Sequence, residues 1–307
     1  MTDKPRHVPV MLQEVEELLG LHAGAVAVDA TLGLGGHAAM MAARIGAEGR
    51  LVGIDQDAAA ISIARAGLSG FQGRLDIVKS NFSRLDEVLA GLQVTAADAI
   101  LFDLGVSSLQ LDEPGRGFSF RHDGPLDMRM DADAGTSAED IVNEASEEEL
   151  ADLIFEYGEE RFSRRIARQI VAARAGERIT RTGQLADIVL RALPGGARHQ
   201  HKRLHPATRT FQALRIAVNR ELDVLNEVLG QGLKNLKVGG RMAVISFHSL
   251  EDRIVKTRFK AWAAEGSVKI LTKKPWQPAE AEAAANPRAR SARLRACERI
   301  DQDGSFS

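Results

Sequence analysis

The stretch DATLGLGGH, Asp29 to His37, follows a short apolar run and opens into a helical pattern rich in alanine and methionine. A strand, a glycine-rich turn and a helix in this order are how α/β proteins bring a nucleotide-bearing ligand to the end of a sheet. Gly33, Gly35 and Gly36 can adopt backbone angles closed to other residues and leave no side chain in the way of a ligand. The start of the helix adds unpaired backbone N–H groups. We predict a ligand site here, with a corner that merely turns the chain as the alternative.

The chain on both sides of this stretch alternates between apolar runs and helical patterns. This alternation predicts an α/β fold with a doubly wound, mostly parallel sheet that binds its ligands at the carboxyl edge. The predicted strands are residues 25–28, 51–54, 75–78 and 99–102, and the predicted helices are residues 8–21, 38–45, 58–66 and 85–92.

Acidic residues close three of these strands. Asp29, Asp55 and Asp103 each follow an apolar run directly. Because the carboxyl ends of parallel strands meet at one edge of a sheet, we expect these three carboxylates to lie close together.

The alternation stops after the fourth strand and resumes near the end of the chain. We interpret residues 111–206 as an all-helical domain inserted into a sheet domain made of residues 1–110 and 207–307. The predicted helices of the insert are residues 137–144, 147–157, 159–175 and 183–193. They are followed by a long helix from about Ala207 to Leu229, strands at 242–247, 268–271 and 292–296, and an alanine-rich linker at 279–285.

The composition excludes several classes of protein. Hydrophobic residues make up 44% and charged residues 27% of the 307 residues, which is ordinary for a soluble globular protein. No apolar stretch approaches the roughly 20 residues that a membrane-spanning helix needs. Cys297 is the only cysteine, so no internal disulfide can form and we expect a reducing, cytoplasmic compartment. The net charge of −2 argues against a general coat for nucleic acid but allows one basic face.

The predicted insert divides sharply by charge. Residues 139–160 contain ten acids and no Lys or Arg, whereas residues 161–209 contain twelve Lys or Arg and two acids. Helical spacing places a row of arginines opposite an apolar stripe, which indicates a surface that contacts RNA phosphates; a solvated face is the alternative. The histidines near residue 200 have no Cys or acid beside them, so we predict no metal site. The candidate RNA-binding residues are Arg161, Arg164, Arg165, Arg168, Lys202, Arg203 and Arg209.

The glycine turn fits two kinds of ligand. Residues 33–38 can be aligned with the G-x-G-x-x-G/A dinucleotide pattern, and Asp55 lies about 20 residues further on, as that pattern expects. Asp29 would repel a pyrophosphate, however, whereas it would tolerate the cationic amine and sulfonium of S-adenosylmethionine. The ribose diol of that donor would bind Asp55, and its adenine would stack on Phe82 unless this ring lies in the core. The residues favour S-adenosylmethionine, with a nicotinamide cofactor as the alternative.

Long runs of sequence, in a fixed order, match one known family. The runs are HVPVML at 7–12, DATLGLGGH, GIDQD at 53–57, the run from Phe102 to Asp131, YGEERFSRRIARQIV at 157–171, HPATRTFQALRIAVN at 205–219, ISFHSLEDRIVK at 245–256 and NPRARSARLRACER at 286–299. With them the chain resembles the bacterial 16S ribosomal RNA (cytosine-N(4))-methyltransferases nearly from end to end. The family usually has SSPQLD where this chain has SSLQLD, with Leu109 in place of proline.

The resemblance implies a class I methyltransferase fold with a helical insert and S-adenosylmethionine as the methyl donor. It implies a cytidine in the decoding region of 16S rRNA as substrate, with the small ribosomal subunit as partner. We expect no membrane partner, and a dimer is one option for the oligomeric state. The donor contacts that the resemblance implies are Gly35, Gly36, His37, Asp55, Phe82, Asp103 and Gln110, and we add Gly33 from the same turn.

Methyl transfer to a cytosine amine needs a group that takes up a proton. Asp103 ends the fourth strand beside the predicted donor, so we hypothesise that it orients the amine or receives its proton; donor binding alone is the alternative. His248 is a second candidate acceptor. Phe118 and Phe120 are candidate stacking platforms for the base, or anchors of their own loop.

Three other functions can be weighed against this one. Methylation at carbon 5 would need a cysteine nucleophile, and Cys297 lies far along the chain from the donor edge. A dehydrogenase would bind a nicotinamide cofactor in place of the methyl donor. A non-catalytic ribosome-assembly factor with the same fold would bind RNA without consuming the donor.

Overall fold

The computed structural model describes residues 9–107, 110–111, 113–131, 135–194 and 205–301. These residues form two compact units. We call the described residues of Met1–Gly105 and Leu222–Ser307 the sheet unit, and those of Val106–Glu221 the helical unit. The predicted insert covers 111–206, whereas the helical unit extends to Glu221, because side chains of the helix after residue 206 lie in the core of this unit.

The sheet unit is built on one seven-stranded sheet. Its strands are β1 (Val26–Asp29), β2 (Arg50–Asp55), β3 (Arg74–Lys79), β4 (Ala97–Asp103), β5 (Leu236–Ser246), β6 (Val268–Ile270) and β7 (Arg293–Arg299). Their order is β3-β2-β1-β4-β5-β7-β6. The first five strands pair in parallel, and β7 runs antiparallel to both β5 and β6. The prediction of a doubly wound, mostly parallel sheet is confirmed.

The helices predicted within residues 8–92 and 137–193 are all present, whereas the helix at Ser249–Ala264 was not predicted. In chain order the helices are α1 (Leu12–Leu19), α2 (Gly36–Ile45), α3 (Ala58–Gly67), α4 (Leu85–Gly91), α5 (Ala138–Glu144), α6 (Glu147–Gly158), α7 (Ser163–Arg174), α8 (Thr182–Ala192), α9 (Thr208–Asn219), α10 (Glu221–Asn235), α11 (Ser249–Ala264) and α12 (Glu280–Ala285). Within the described ranges, no helix combines the length and the apolar character that crossing a membrane requires.

The strands of the sheet are apolar because both faces of the sheet are covered. Neighbouring residues of a strand point to opposite faces, so Ala27 of β1 joins one core cluster and Val28 joins the other. Leu101 and Phe102 of β4 divide in the same way, and all four residues are fully buried. Polar side chains that can bind a ligand are therefore expected only at the ends of these strands.

The helical unit has a core of its own, formed by apolar faces of α5 to α9. Helices α5 and α6 both begin with reciprocal caps. At the start of α6, the Ser146 hydroxyl accepts from the Glu149 amide, and the Glu149 carboxylate accepts from the Ser146 amide. At the end of α6, a Cβ on Gly158 would lie 2.7 Å from the carbonyl oxygen of Arg209, so glycine permits the close approach of α9.

The single long helix predicted after residue 206 is wrong, because the chain forms two helices there. Arg220 takes a left-handed conformation with φ 49° between α9 and α10. The preceding residue, Asn219, donates to the carbonyl of Met128 and accepts from the amide of Met130. The Asn219 side chain is therefore hydrogen-bonded to a loop that is distant in sequence, at the point where α9 ends.

The alanine-rich segment predicted as a linker is also helical, as α12. Alanine has the highest intrinsic helix propensity, so a short alanine-rich segment can form a helix when its surroundings hold it. The Oε1 atom of Glu282 in α12 accepts a hydrogen bond of 2.8 Å from the amide of Met11. This contact fixes α12 against the start of α1.

Candidate functional site

Three carboxylates lie at one edge of the sheet, as predicted. Asp29, Asp55 and Asp103 are the last residues of β1, β2 and β4. The chain passes from β1 to β2 on one side and returns to place β4 on the other side of β1. In open α/β sheets ligands bind at such a change of direction, outside the carboxyl ends of the strands.

The glycine turn is held against this edge by Asp55. Its Oδ2 accepts a hydrogen bond of 2.8 Å from the Gly33 amide, and its Oδ1 accepts one of 2.8 Å from the Asp57 amide. Gly33 and Gly35 have positive φ angles of 51° and 82°, which glycine adopts without strain. Burial raises the pKa of Asp55 above its ordinary value.

The three glycines of the turn serve different purposes. A Cβ on Gly36 would collide with the ring of Pro9, and a Cβ on Gly35 would lie 3.1 Å from the Cβ of Ala64 in α3. A Cβ on Gly33 would meet no atom closer than 3.8 Å. The expectation that all three glycines keep space free for a ligand is therefore wrong for Gly35 and Gly36, whose space is taken by protein packing.

Thr31 connects the ends of β1 and β4, a role that the sequence analysis missed. Its hydroxyl accepts a hydrogen bond of 2.6 Å from the Asp103 amide, and its own amide donates to Asp29 Oδ1 at 3.2 Å. The second contact is the turn that an Asp favours with the residue two positions on. The sequence signal that could have predicted this contact is the spacing of Asp29 and Thr31, two positions apart.

Burial gives the site an unusual electrostatic character. Asp29 is almost fully buried, and this burial raises its pKa to about 6, opposed by the nearby His37. Burial also raises the pKa of Asp103 to about 7, and the negative charge of Glu251 adds to the effect. A cationic ligand would stabilise the charged forms of these acids, whereas an anionic one would oppose them.

The buried His37 lies beside Asp103, whose side chain is 24% exposed. His37 Nε2 lies 2.9 Å from the carbonyl oxygen of Val10, which only accepts, so Nε2 carries a proton. Nδ1 then faces Asp103 Oδ2 at 3.6 Å. Burial lowers the pKa of His37 from its ordinary value, which leaves the carboxyl of Asp103 as the group that gains and loses a proton near pH 7.

The second oxygen of Asp103 is available for chemistry. Its Oδ1 is buried, and no described residue offers it a hydrogen bond. Buried acceptors are normally paired, so an unpaired carboxylate oxygen at a ligand edge marks a place where a donor from outside is expected.

Phe82 follows β3 at the same edge. It begins a short 3₁₀ helix, Phe82–Arg84, and its half-buried ring is tilted against that of Phe102 at a centroid distance of 6.3 Å. One side of this ring thus belongs to the core, while the residue retains some exposure. Asn81 donates to Gln56 at 3.0 Å and ties the end of β3 to that of β2.

His248 has a structural task at the start of α11. Its Nδ1 accepts a hydrogen bond of 3.4 Å from the Glu251 amide, and its Nε2 lies 3.1 Å from Glu251 Oε1. Glu251 in turn accepts from the amide of Phe247 at 2.8 Å. His248 therefore caps this helix, and its role as a second proton acceptor stays a prediction.

The predicted RNA-binding arginines lie on the exposed face of the helical unit. Arg161, Arg164, Arg165 and Arg168 are exposed, and the apolar residues between them are buried. Arg168 pairs with a glutamate of α6 at 3.5 Å. Arg209 is also exposed but donates to the carbonyl oxygen at the end of α6 at 2.8 Å. Lys202 and Arg203 lie outside the described residues.

The remaining candidates of the helical unit are packed inside it. Phe118 is buried, so it anchors its loop and the stacking-platform hypothesis is wrong for it. Phe120 is half-buried; its ring lies 4.5 Å from that of His205 and contacts that of Phe211 edge-on at 4.9 Å, and its role as a platform stays a prediction. Gln110 is buried, and its Oε1 accepts from the Ser107 amide at 3.1 Å. Its contact with the donor stays a prediction.

The chain is similar to known proteins over nearly its whole length. Residues 4–300 match the MraW methylase family. Ribosomal RNA small subunit methyltransferase H of Geotalea uraniireducens (strain Rf4) is 50% identical over 309 residues, covering 96% of this chain and 98% of that protein. The protein of the same name from Heliobacterium modesticaldum (strain ATCC 51547 / Ice1) is 48% identical over 311 residues, with the same coverage. A solved rRNA methylase from Streptococcus thermophilus has a TM-score of 0.45 and 12% identity, covering 98% of this chain and 99% of that one.

The family model and the two relatives that are 48% and 50% identical confirm the resemblance drawn from the sequence motifs. The sheet, with its antiparallel β7 and its insert after β4, is a class I methyltransferase fold of the Rossmann-like type. The matching family consists of methylases, which favours the methyl-donor interpretation of the glycine turn over the nicotinamide one. The chain belongs to the MraW methylase family.

Proposed function

We propose that this protein transfers a methyl group from S-adenosylmethionine to the exocyclic N4 of a cytidine in the decoding region of 16S rRNA. The observation that carries the proposal is the carboxyl edge of the sheet. There an acid-lined glycine turn meets Asp103, whose Oδ1 is buried without a described partner. Relatives at 48% and 50% identity that are named ribosomal RNA small subunit methyltransferases support RNA as the substrate.

The methyl donor binds across the ends of β1, β2 and β4. Its ribose hydroxyls donate to the Asp55 carboxylate, whose oxygens each have lone pairs left beside their amide contacts. Its adenine packs on the accessible part of Phe82. Its sulfonium and amine lie near Asp29 and Asp103, whose charged forms they stabilise. Main-chain groups of the turn at 33–37 hold the methionine portion.

The transfer step forms a bond between N4 and the methyl carbon and breaks the bond between that carbon and sulfur. The products are a neutral thioether and a methylated amine that must lose one proton. Asp103 Oδ1 accepts this proton, and the Thr31 hydroxyl fixes the backbone of this residue by accepting a hydrogen bond of 2.6 Å from the Asp103 amide. Alignment of amine and methyl group supplies the larger part of the acceleration, since correct positioning is worth about 7–11 kcal/mol in favourable cases.

The helical unit holds the RNA substrate. A base must leave its stack to reach the donor, at a cost of a few kcal/mol. The exposed arginines of α7 offset part of this cost through contacts with phosphates, and Lys202, Arg203 and Arg209 extend the same basic segment. The protein acts in the cytoplasm, on small ribosomal subunits or on their RNA.

Labelled methyl transfer tests the proposal directly. The purified protein and labelled S-adenosylmethionine are incubated with unmodified 30S subunits or with free 16S RNA, and the modified nucleotide is mapped. We expect one N4-methylated cytidine in the decoding region. RNA binding without transfer would favour an assembly factor, and calorimetric binding of NAD in place of S-adenosylmethionine would favour a dehydrogenase.

A further inference from the structure

A pocket of about 330 Å³ opens on the helical unit, where α6 ends and α7 begins. Ligand pockets for small molecules start at about this size, and a single nucleotide is a ligand of that class. Its walls include Asp152 and Phe155 of α6, Arg161 and Phe162 of the connecting segment, and Arg164 and Arg165 of α7. These side chains combine an aromatic face, cations and a carboxylate.

Phe155 is the aromatic part of this wall. Its side chain is 59% exposed to solvent. Among the large hydrophobic residues of the described chain that are strongly exposed, it is the one aromatic residue. A single exposed apolar residue needs no explanation, but a phenylalanine facing a pocket among arginines presents a stacking surface. Every nucleobase has a π face that can stack there.

The arginines of the pocket are available for an anionic ligand. Arg161, Arg164 and Arg165 form no ion pair with a carboxylate of the described residues, unlike Arg168 on the same helix. The guanidinium of Arg161 lies 4.6 Å from the centre of the Phe162 ring, which holds it flat against an aromatic face. Arg164 and Arg165 stand in the first turn of α7, where the helix dipole disfavours cations, so helix stability does not explain them.

The carboxylate of Asp152 favours a nucleotide over a free phosphate as the ligand of this pocket. A carboxylate beside the arginines opposes a bare phosphate, but it accepts hydrogen bonds from the exocyclic amine of a base. We infer that this pocket binds one unpaired nucleotide of the RNA. Its base stacks on Phe155, its amino group donates to Asp152, and its phosphate contacts the arginines.

This inference rests on the proposed function for the identity of the RNA. The pocket contains none of the donor-site residues, so the bound nucleotide is one that positions the substrate rather than the one that is methylated.

Fluorescence anisotropy with labelled 12-residue oligonucleotides tests the pocket. We expect wild type to bind oligo(C) more tightly than oligo(U), which lacks an exocyclic amine, and to bind single strands more tightly than a duplex. Phe155→Ala should weaken single-strand binding by about 5- to 150-fold, the range measured for loss of one stacked base. Phe155→Tyr should keep binding within about threefold of wild type, and Asp152→Asn should reduce the preference for C over U.

Val238→Ala is the matched control, because Val238 is 61% exposed and lies in the sheet unit. It should bind as wild type does. Equal RNA binding by Phe155→Ala and wild type would overturn the inference that this pocket binds a nucleotide. Equal losses of affinity for duplex and for single strand in Phe155→Ala would also overturn it. Tighter, Phe155-dependent binding of a phosphoserine peptide would assign the pocket to a protein partner and also overturn it.

The assay separates this inference from the proposed function. Methyl transfer by wild type to 30S subunits, together with RNA binding that ignores Phe155, would reject the pocket alone. Phe155-dependent RNA binding without methyl transfer would reject the enzyme activity and keep the pocket.

Discussion

The carboxyl edge of the sheet and the first turn of α7 are opposite kinds of site. At the edge, acids are buried or half-buried, and main-chain amides fix their orientation; burial raises the pKa of Asp29 to about 6 and that of Asp103 to about 7. At the start of α7, Arg161, Arg164 and Arg165 are exposed, and none of them pairs with a described carboxylate. The edge thus has a fixed geometry, whereas the start of α7 carries exposed charges on long side chains.

This difference predicts different responses to mutation. A change at the edge alters a fixed geometry and a protonation state, so its effects should be large and dependent on pH. A change on α7 removes one of several exposed charges, so its effect should be modest and dependent on salt. The following substitutions test this contrast.

Asp103→Asn should have the largest effect. The amide cannot accept the proton of the target amine, and losing a positioned general base costs about 10²- to 10⁴-fold in rate. Donor binding, measured by calorimetry, should weaken far less than turnover, because the variant loses one of the two carboxylates near the cationic groups but none of the other donor contacts. Near-normal turnover in a single-turnover assay would exclude Asp103 as proton acceptor.

The same residue predicts a pH profile for the wild type. Because burial raises the pKa of Asp103 to about 7, the carboxylate that accepts a proton is lost as pH falls through 7. The rate at limiting donor concentration, which reports the free enzyme, should therefore rise as pH rises through about 7, and saturating donor should move this rise to lower pH because its positive charge favours the carboxylate. The residual rate of Asp103→Asn should lack this rise, and a profile that keeps it would assign the titration to another group.

Asp29→Asn should stabilise the fold while weakening donor binding. The folded-state pKa of Asp29 is about 6 against an ordinary value of 3.8, so folding favours the protonated form and stability falls as pH rises between these values. Removing this cost should raise the free energy of unfolding at pH 7.5 by up to about 3 kcal/mol. Asn keeps an oxygen for the Thr31 amide.

Urea unfolding at pH 7.5 and at pH 4 measures this effect. The gain should be small at pH 4, where the wild-type carboxyl is already protonated in the folded state. An equal gain at both pH values would show that the charge of Asp29 is not the cause.

Gly36→Ala tests whether packing against Pro9 requires glycine at this position of the turn. The added Cβ meets the Pro9 ring, so the turn or the segment before α1 must shift, at a cost of about 1–3 kcal/mol in stability. Gly67→Ala is the control: it lies at the end of α3, where a Cβ meets nothing within 4 Å, and it should be neutral or slightly stabilising. Thermal unfolding compares the two, and similar losses in both variants would contradict the packing role.

Arg164→Ala should have the smallest effect. Removal of one phosphate contact should weaken RNA binding severalfold at 0.15 M salt and lower the slope of log K against log salt by about 0.7. Arg65→Ala, an exposed arginine of α3 in the sheet unit, should leave the slope unchanged. A slope that Arg164→Ala does not alter would remove this arginine from the RNA-binding surface.

Local patterns were sufficient to predict the sheet and the three acids at its carboxyl edge. The apolar run at 51–54 lies within β2, and the acid after it ends that strand, because buried parallel strands leave polar residues only at their ends. The row of arginines on α7 was predicted by helical spacing alone, since exposure on a single helix follows from its own sequence.

Features that depend on distant residues could not be predicted in this way. The break at Arg220 has no glycine or proline to mark it, and it coincides with hydrogen bonds from Asn219 to residues about 90 positions earlier. The neighbour that requires Gly36 to be glycine is Pro9, which lies before α1. The sequence also could not predict that Phe120 lies against the rings of His205 and Phe211, which are more than 80 positions later.

The segment before α1 has a consequence for how the protein matures during synthesis. Pro9 backs the glycine turn, Val10 accepts from His37, and Met11 is bound by Glu282 of α12, 271 positions later. This last contact forms only after residue 282 has left the ribosome that makes the chain. Until then the contact between Met11 and Glu282 is missing, so the protein wall behind the glycine turn is incomplete in a shorter nascent chain.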